Sequence, residues 1–159
     1  MMDNGFKTKH VMNTILQRAF KEARIDMSPM KAQKMLFYVH GWHLATTGSP
    51  AVDLLFEVWP YGPVIGTIYH ELKKFGGGRV TEYLPDEDSG KPFIINEKCK
   101  ELYESIDIAW EKYIGISAVT LSTMTHENGS PWQLSKSQGS TYISNDIVRE
   151  YFVNQARQS

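Results

Sequence analysis

"SPMKAQKMLFYVHGWHLATTGSP", residues Ser28–Pro50, decides how the rest of the chain is read. Ser28 is an N-cap residue, and Pro29 at the first helical position lacks an N–H that the helix would leave unpaired anyway. Gly48, followed by Ser49 and Pro50, is a matching stop signal. Between these signals Met30, Met35, Leu36, Phe37, Val39, Trp42 and Leu44 go nearly all the way round a helical wheel, so no wet face is left. This helix is expected to be central and buried. Gln33, His40 and His43 form a narrow polar stripe on it, and buried polar groups of this kind are expected to hydrogen-bond into the interior.

Working outward, "VMNTILQRAFKEAR" (Val11–Arg24) spaces Val11, Ile15, Leu16 and Ala19 at helical intervals and predicts a preceding helix. Downstream, "LLFEVW" reads as a short strand and "KPFII" as another, with an edge strand expected around Arg79–Leu84. Trp59-Pro60 is expected to end the first strand, because proline has no ladder donor. Gly62 and Pro63 are then read as the cap and first residue of a helix. In that helix Val64, Ile65, Ile68, Tyr69, Leu72 and Phe75 fall on one arc of about 140°. Gly66, Thr67, His70, Lys73 and Lys74 are expected on the outward side, with Gly76 as terminator. Asn96 is read as the cap of a helix carrying Leu102, Ile106, Ala109, Trp110 and Tyr113, and Ser117 as the cap of one ending at Thr125. "ISNDIVREYFVNQ" predicts a closing helix. No repeat or linker divides these elements. The expected fold is mainly α (α+β): one compact domain over residues 1–159, with a core from about residue 10 to 153. Its central helix is buried, and it carries a β-hairpin or three-stranded antiparallel sheet.

Composition narrows the function. The 159 residues carry a net charge of −1 and are 42% hydrophobic, which supplies a core and no global basic field to collect nucleic acid. The single cysteine, Cys99, forms no intramolecular pair and suits a reducing, cytoplasmic setting. The N-terminus reads as lacking a signal peptide, and no run is long enough to span a bilayer. Charge is uneven along the chain: residues 1–34 hold seven basic side chains against three acidic ones, Asp3 among them. Residues 82–111 hold nine acidic against three basic. The bland reading is solvated helix faces. The sharper one is an acidic patch for a cationic partner, with Glu97, Glu101 and Glu104 as its representatives.

Catalytic signatures are missing. His40 and His43 could begin a zinc site, with His126-Glu127 as the third contributor, but there is no HExxH motif and no cysteine pair. "FGGGR" lacks the lysine and helix of a phosphate cradle, and Cys99 could be a nucleophile only with a histidine near it. The residues point to no cofactor, no resident metal and no enzyme.

Three separated segments resemble the Panacea domain family, SocA-like proteins long described as phage-associated. They are "MKAQKMLFYVHGWHLATTGSPAVD" (Met30–Asp53), "FEVWPYGPVIGTIYHELKKFG" (Phe56–Gly76) and "LSTMTHENGSPW" (Leu121–Trp132). Order and spacing agree, and the closing "ISNDIVREYF" extends the likeness. Departures are Ala32 for a usual leucine, Pro60 between Trp59 and Tyr61, and the Gly-Ser insertion before Pro131. The resemblance implies a bacterial antitoxin that neutralises a cognate protein toxin by direct binding. A member of the family also acts as an adaptor that delivers its toxin to a protease. It implies structural roles for the motif residues Trp42, His43, Trp59, Tyr61, Gly62, Pro63, Thr125, His126, Pro131 and Trp132. The first candidates for the partner surface are Tyr61, Gly66, Thr67, His70, Lys73 and Lys74. The second are Glu97, Glu101 and Glu104. Alanine at His70 or Lys74 is expected to spare the fold, and alanine at Trp59 or Tyr61 to lower thermal stability. A phage adaptor that binds a host factor and a hydrolase using His40, His43 and His126 are the alternatives, and self-association stays open.

Overall fold

The computed structural model describes residues 4–158. Asp3, counted in the N-terminal charge, lies outside them. Chain order is α1 (Thr8–Lys21), α2 (Pro29–Thr47), β1 (Phe56–Trp59), β2 (Gly62–Val64), α3 (Gly66–Leu72) with a 3-10 turn (Lys73–Phe75), α4 (Lys100–Tyr113), α5 (Ala118–Thr125), α6 (Pro131–Ser137), β3 (Tyr142–Ile143) and α7 (Asn145–Gln158). The architecture is mainly α with one small antiparallel sheet of order β2-β1-β3.

The start and stop signals of α2 act as the sequence predicts. Ser28 Oγ accepts from the Lys31 N–H, and Gly48 takes the left-handed conformation (φ 78°) and closes onto the Leu44 carbonyl. Residues Lys31 to Leu44 are all buried, and α1, α3, α4, α5, α7 and β2 pack around the helix. The polar stripe is satisfied internally. Gln33 bonds both backbone groups of Ile65 at 3.1 Å each. His43 Nδ1–H donates to the Ser49 carbonyl (2.8 Å).

Lys31 is buried while its counter-ion stays exposed: Nζ reaches Asp26 Oδ2 at 2.7 Å and the Ile114 carbonyl at 2.6 Å. Aromatic rings close the far side. Tyr38 stacks on Tyr113 with centroids 3.8 Å apart, and the Trp42 indole N–H donates to the Tyr113 hydroxyl (2.9 Å). Phe152 of α7 meets Phe37, Tyr38 and Trp42 edge-on.

The sheet differs from the one expected. Neither Arg79–Leu84 nor "KPFII" forms a strand; both lie against α1, whose side chains take over the pairing. Asn13 bonds both backbone groups of Leu84 (2.8 and 2.9 Å) and the Phe93 carbonyl, and Thr14 Oγ1 accepts from the Ile95 N–H (3.0 Å). Gly62-Pro63 does not open a helix but belongs to β2, opposite Trp59 and Val58. Pro63 is tolerated there because Val58 donates its own N–H to Thr141, on the β3 side. The third strand is Tyr142–Ile143, and α6 is a helix absent from the sequence expectation. Asn96 caps a turn through the Lys98 N–H (2.8 Å), and α4 starts later, after Cys99. Helix α1 ends at Lys21, short of Arg24.

The charge asymmetry is partly consumed inside the fold. Lys7 and His10 pair with Asp86, Lys9 with Glu87, and Arg18 with Asp107, so the basic N-terminal segment lies on the acidic one. The His10 contact, foremost among its causes, holds the Asp86 carboxyl below its usual range.

Candidate functional site

The β1–β2 hairpin is held by side chains from three helices, each bonding a carbonyl at every second residue. The Trp132 indole N–H donates to the Trp59 carbonyl (2.7 Å) and Ser122 Oγ–H to that of Tyr61 (2.6 Å). Lys34 Nζ donates to the Pro63 carbonyl (3.2 Å), and Gln33 Nε2–H to that of Ile65 (3.1 Å). Helices α5 and α2 therefore take the place of a strand along β2, the edge strand, while α6 bonds β1 in the middle of the sheet.

Gly62 makes the close approach feasible. Its φ is 112°, and a Cβ there would stand 2.5 Å from Thr125 Oγ1 and 3.0 Å from Lys34 Cε. Thr125 Oγ1–H donates to the Ser122 carbonyl, and Ser130 Oγ–H to that of Thr125, so the α5–α6 junction is braced from within. Ser130 and Pro131 form the cap and first position of α6. The His126 ring packs against Trp132 with centroids 4.1 Å apart. Burial first, with the charges of Lys34 and Lys136 adding to it, holds the His126 pKa below its ordinary value against an opposing contribution from the Pro60 backbone.

These contacts place the motif residues Trp59, Gly62, Pro63, Thr125, His126, Pro131 and Trp132 at one hairpin junction. Trp42 and His43 sit elsewhere, further along α2. Tyr61, named both as a motif residue and as a partner-surface candidate, is held through its backbone carbonyl and is 65% exposed.

Thr67, His70, Lys73 and Lys74 are exposed on α3 and its 3-10 turn, on the outward side predicted for them. Gly66 is not. It is buried, its N–H donates to Glu57 Oε2 (2.8 Å), and a Cβ would meet that oxygen at 2.8 Å. Glu57 also accepts from the Trp59 indole N–H (3.0 Å), so this carboxylate links strand to helix. Glu97, Glu101 and Glu104 are exposed and enter no ion pair among the described residues.

A groove of about 210 Å³ runs between α2, the hairpin and α3, walled by Met30, Trp59, Tyr61, Tyr69 and Leu72 with Lys34 at its floor. Sequence reasoning missed Lys34. A lysine on an all-round apolar helix was the available signal, and it shows neither depth nor counter-ion.

The histidines do not converge. His40 bonds Asn145 of α7 (2.9 Å), His43 bonds the Ser49 carbonyl (2.8 Å), and His126 lies at the hairpin. Among the described residues no group of three or more His, Cys, Asp or Glu is placed to hold a metal ion. Cys99 shares the lining of an open cavity with His43, but no hydrogen bond joins the two side chains among the described residues. No described helix is long and apolar enough to cross a membrane.

A mainly helical domain whose helices clamp a β-hairpin is what these contacts define. The family described as Antitoxin SocA-like, Panacea domain, matches residues 33–133, and the chain belongs to it. The matched stretch includes all four side chains that hold the hairpin carbonyls, Gln33, Lys34, Ser122 and Trp132. Antitoxin SocA of Caulobacter vibrioides (strain NA1000 / CB15N) is 28% identical over 127 residues, which cover 78% of this chain and 67% of that relative. No solved structure matches the chain.

Proposed function

We propose that this chain is a cytoplasmic antitoxin, a single domain that neutralises a cognate protein toxin by direct binding and performs no catalysis itself. Family membership supports the antitoxin role. The observation that carries the binding mode is the clamped hairpin with Tyr61 65% exposed at its tip. An aromatic side chain on a backbone already fixed by neighbouring helices loses little conformational freedom on binding, and such residues concentrate interface energy. Tyr61, Thr67, His70, Lys73 and Lys74 form the first contact surface, and Glu97, Glu101 and Glu104 the second.

Co-expression with the open reading frame adjacent to its gene tests this reading. The neighbour arrests growth alone, is harmless with this chain, and co-purifies with it. A neighbour that is harmless alone, or that stays toxic beside this chain, overturns it. A pull-down returning a protease or host factor without a toxin would assign the adaptor role instead.

A further inference from the structure

The groove beside the hairpin has a floor of unusual chemistry. Lys34 is 1% exposed, and its only hydrogen bond among the described residues is to the Pro63 carbonyl at 3.2 Å. Lys31, three residues earlier and equally buried, has the Asp26 carboxylate at 2.7 Å. Two lysines sit inside the same helix; among the described residues one has its anion and the other has none. A buried ammonium with a single neutral acceptor is costly to maintain, and burial alone pulls the Lys34 pKa to about 8. The same ammonium lies beside Gly62, where a Cβ would stand 3.5 Å from Nζ.

The walls are apolar, and at about 210 Å³ the groove is smaller than the roughly 300–1,000 Å³ of small-molecule sites, a size suited to one large side chain. We propose that this groove is the anchor site for an acidic–apolar segment of the bound protein: a large apolar side chain fills it, and an adjacent Asp or Glu carboxylate meets the Lys34 ammonium. Tyr61 and Tyr69 close over the inserted side chain, and the carboxylate supplies a counter-ion that the described residues do not. Truncating one member of such a pair leaves the other buried and unpaired, so the contact is selective against neutral segments.

This proposal rests on the reading of the chain as a protein-binding antitoxin, and its test separates the two. A random dodecapeptide library displayed on phage is panned against the full chain. The expected result is enrichment of peptides with Phe, Trp, Leu or Met next to Asp or Glu. An enriched peptide then loses about 10- to 100-fold in affinity when its acid becomes the amide, when Lys34→Met is the target, or when Tyr61→Ala removes a wall. The amide arm needs no protein variant, and Tyr61→Ala changes an exposed side chain, so misfolding of Lys34→Met cannot decide the outcome. No enrichment, enriched peptides without acids, or equal binding of acid and amide overturns the anchor site. If wild-type chain rescues cells from the neighbouring toxin and Lys34→Met rescues equally, the anchor site fails while the antitoxin reading stands. If acidic peptides bind the groove but wild-type chain gives no rescue, the antitoxin reading fails.

Discussion

The ring of Phe152 lies directly on Gly41. A Cβ at Gly41 would come within 2.1 Å of Phe152 Cε2, so the bare backbone of the central helix is the floor on which α7 packs. Alanine favours a helix over glycine by about 1 kcal/mol, yet overpacking a well-filled core costs typically about 1–3 kcal/mol and sometimes more. Gly41→Ala is therefore expected to destabilise the chain, lowering the melting temperature by several degrees. Adding Phe152→Leu should recover part of that loss, measured as a double-mutant cycle by thermal or urea unfolding.

His40 sets an acid limit on stability. Its Nδ1 accepts from the Ala51 N–H (3.2 Å), so Nε2 carries the proton and donates to Asn145 Oδ1 (2.9 Å). A second proton would face an N–H, and burial, the largest cause, pulls the pKa to about 4. The depressed pKa means that the unfolded chain binds a proton that the folded chain refuses between about pH 6.5 and about 4, so stability falls as pH drops through that window. The contribution is about 3 kcal/mol, and His40→Gln should flatten this part of the pH–stability curve.

Lys34 acts in the opposite pH range. Because its folded pKa of about 8 lies below the ordinary 10.5, the folded chain sheds its proton first, and stability from this group rises as pH climbs between those values. Lys34→Met removes the titration. Wild type should gain about 3 kcal/mol relative to Lys34→Met from pH 8 to 10.5, read as the difference between their urea-unfolding free energies. At pH 7 the variant should lose little stability or gain some, since the burial cost it removes is set against an orphaned Pro63 carbonyl.

The hairpin separates support from contact. Trp132→Phe keeps a smaller aromatic ring but leaves the Trp59 carbonyl without its 2.7 Å donor, an expected loss of about 1–3 kcal/mol. Tyr61→Ala removes an exposed side chain and should change stability by about 0.5 kcal/mol or less while weakening toxin rescue. Calorimetry paired with the co-expression assay checks both. The motif resemblance instead assigns Tyr61 a structural role and predicts a loss of thermal stability, so the same measurement decides between the two.

Most of the helical framework was legible where chemistry is local. Ser28, Pro29 and Gly48 bound α2, Ser117 starts α5, and the polar stripe of Gln33, His40 and His43 is satisfied internally. The sheet was not legible. "KPFII" has strand composition, yet its neighbour is α1, and Asn13 and Thr14 provide the pairing that another strand would have given. Tyr142–Ile143 is too short to show a period, and it becomes a strand only because Phe56 and Glu57 lie beside it. The candidate site was half visible: its motif residues were marked, but Lys34 was not, and Gly66 faced inward.

Local physics alone settles where α2 begins, where it ends and that it must be buried, because capping and all-round apolarity act within a few residues. Whether Gly62-Pro63 is strand or helix was open to tertiary structure, since a proline φ near −65° suits a helix start as well as an edge strand. Four side chains from α2, α5 and α6 make that choice by bonding the hairpin's carbonyls. The same packing leaves Lys34 without an anion among the described residues and turns Tyr61 outward, because counter-ions and exposure belong to neighbours distant in sequence.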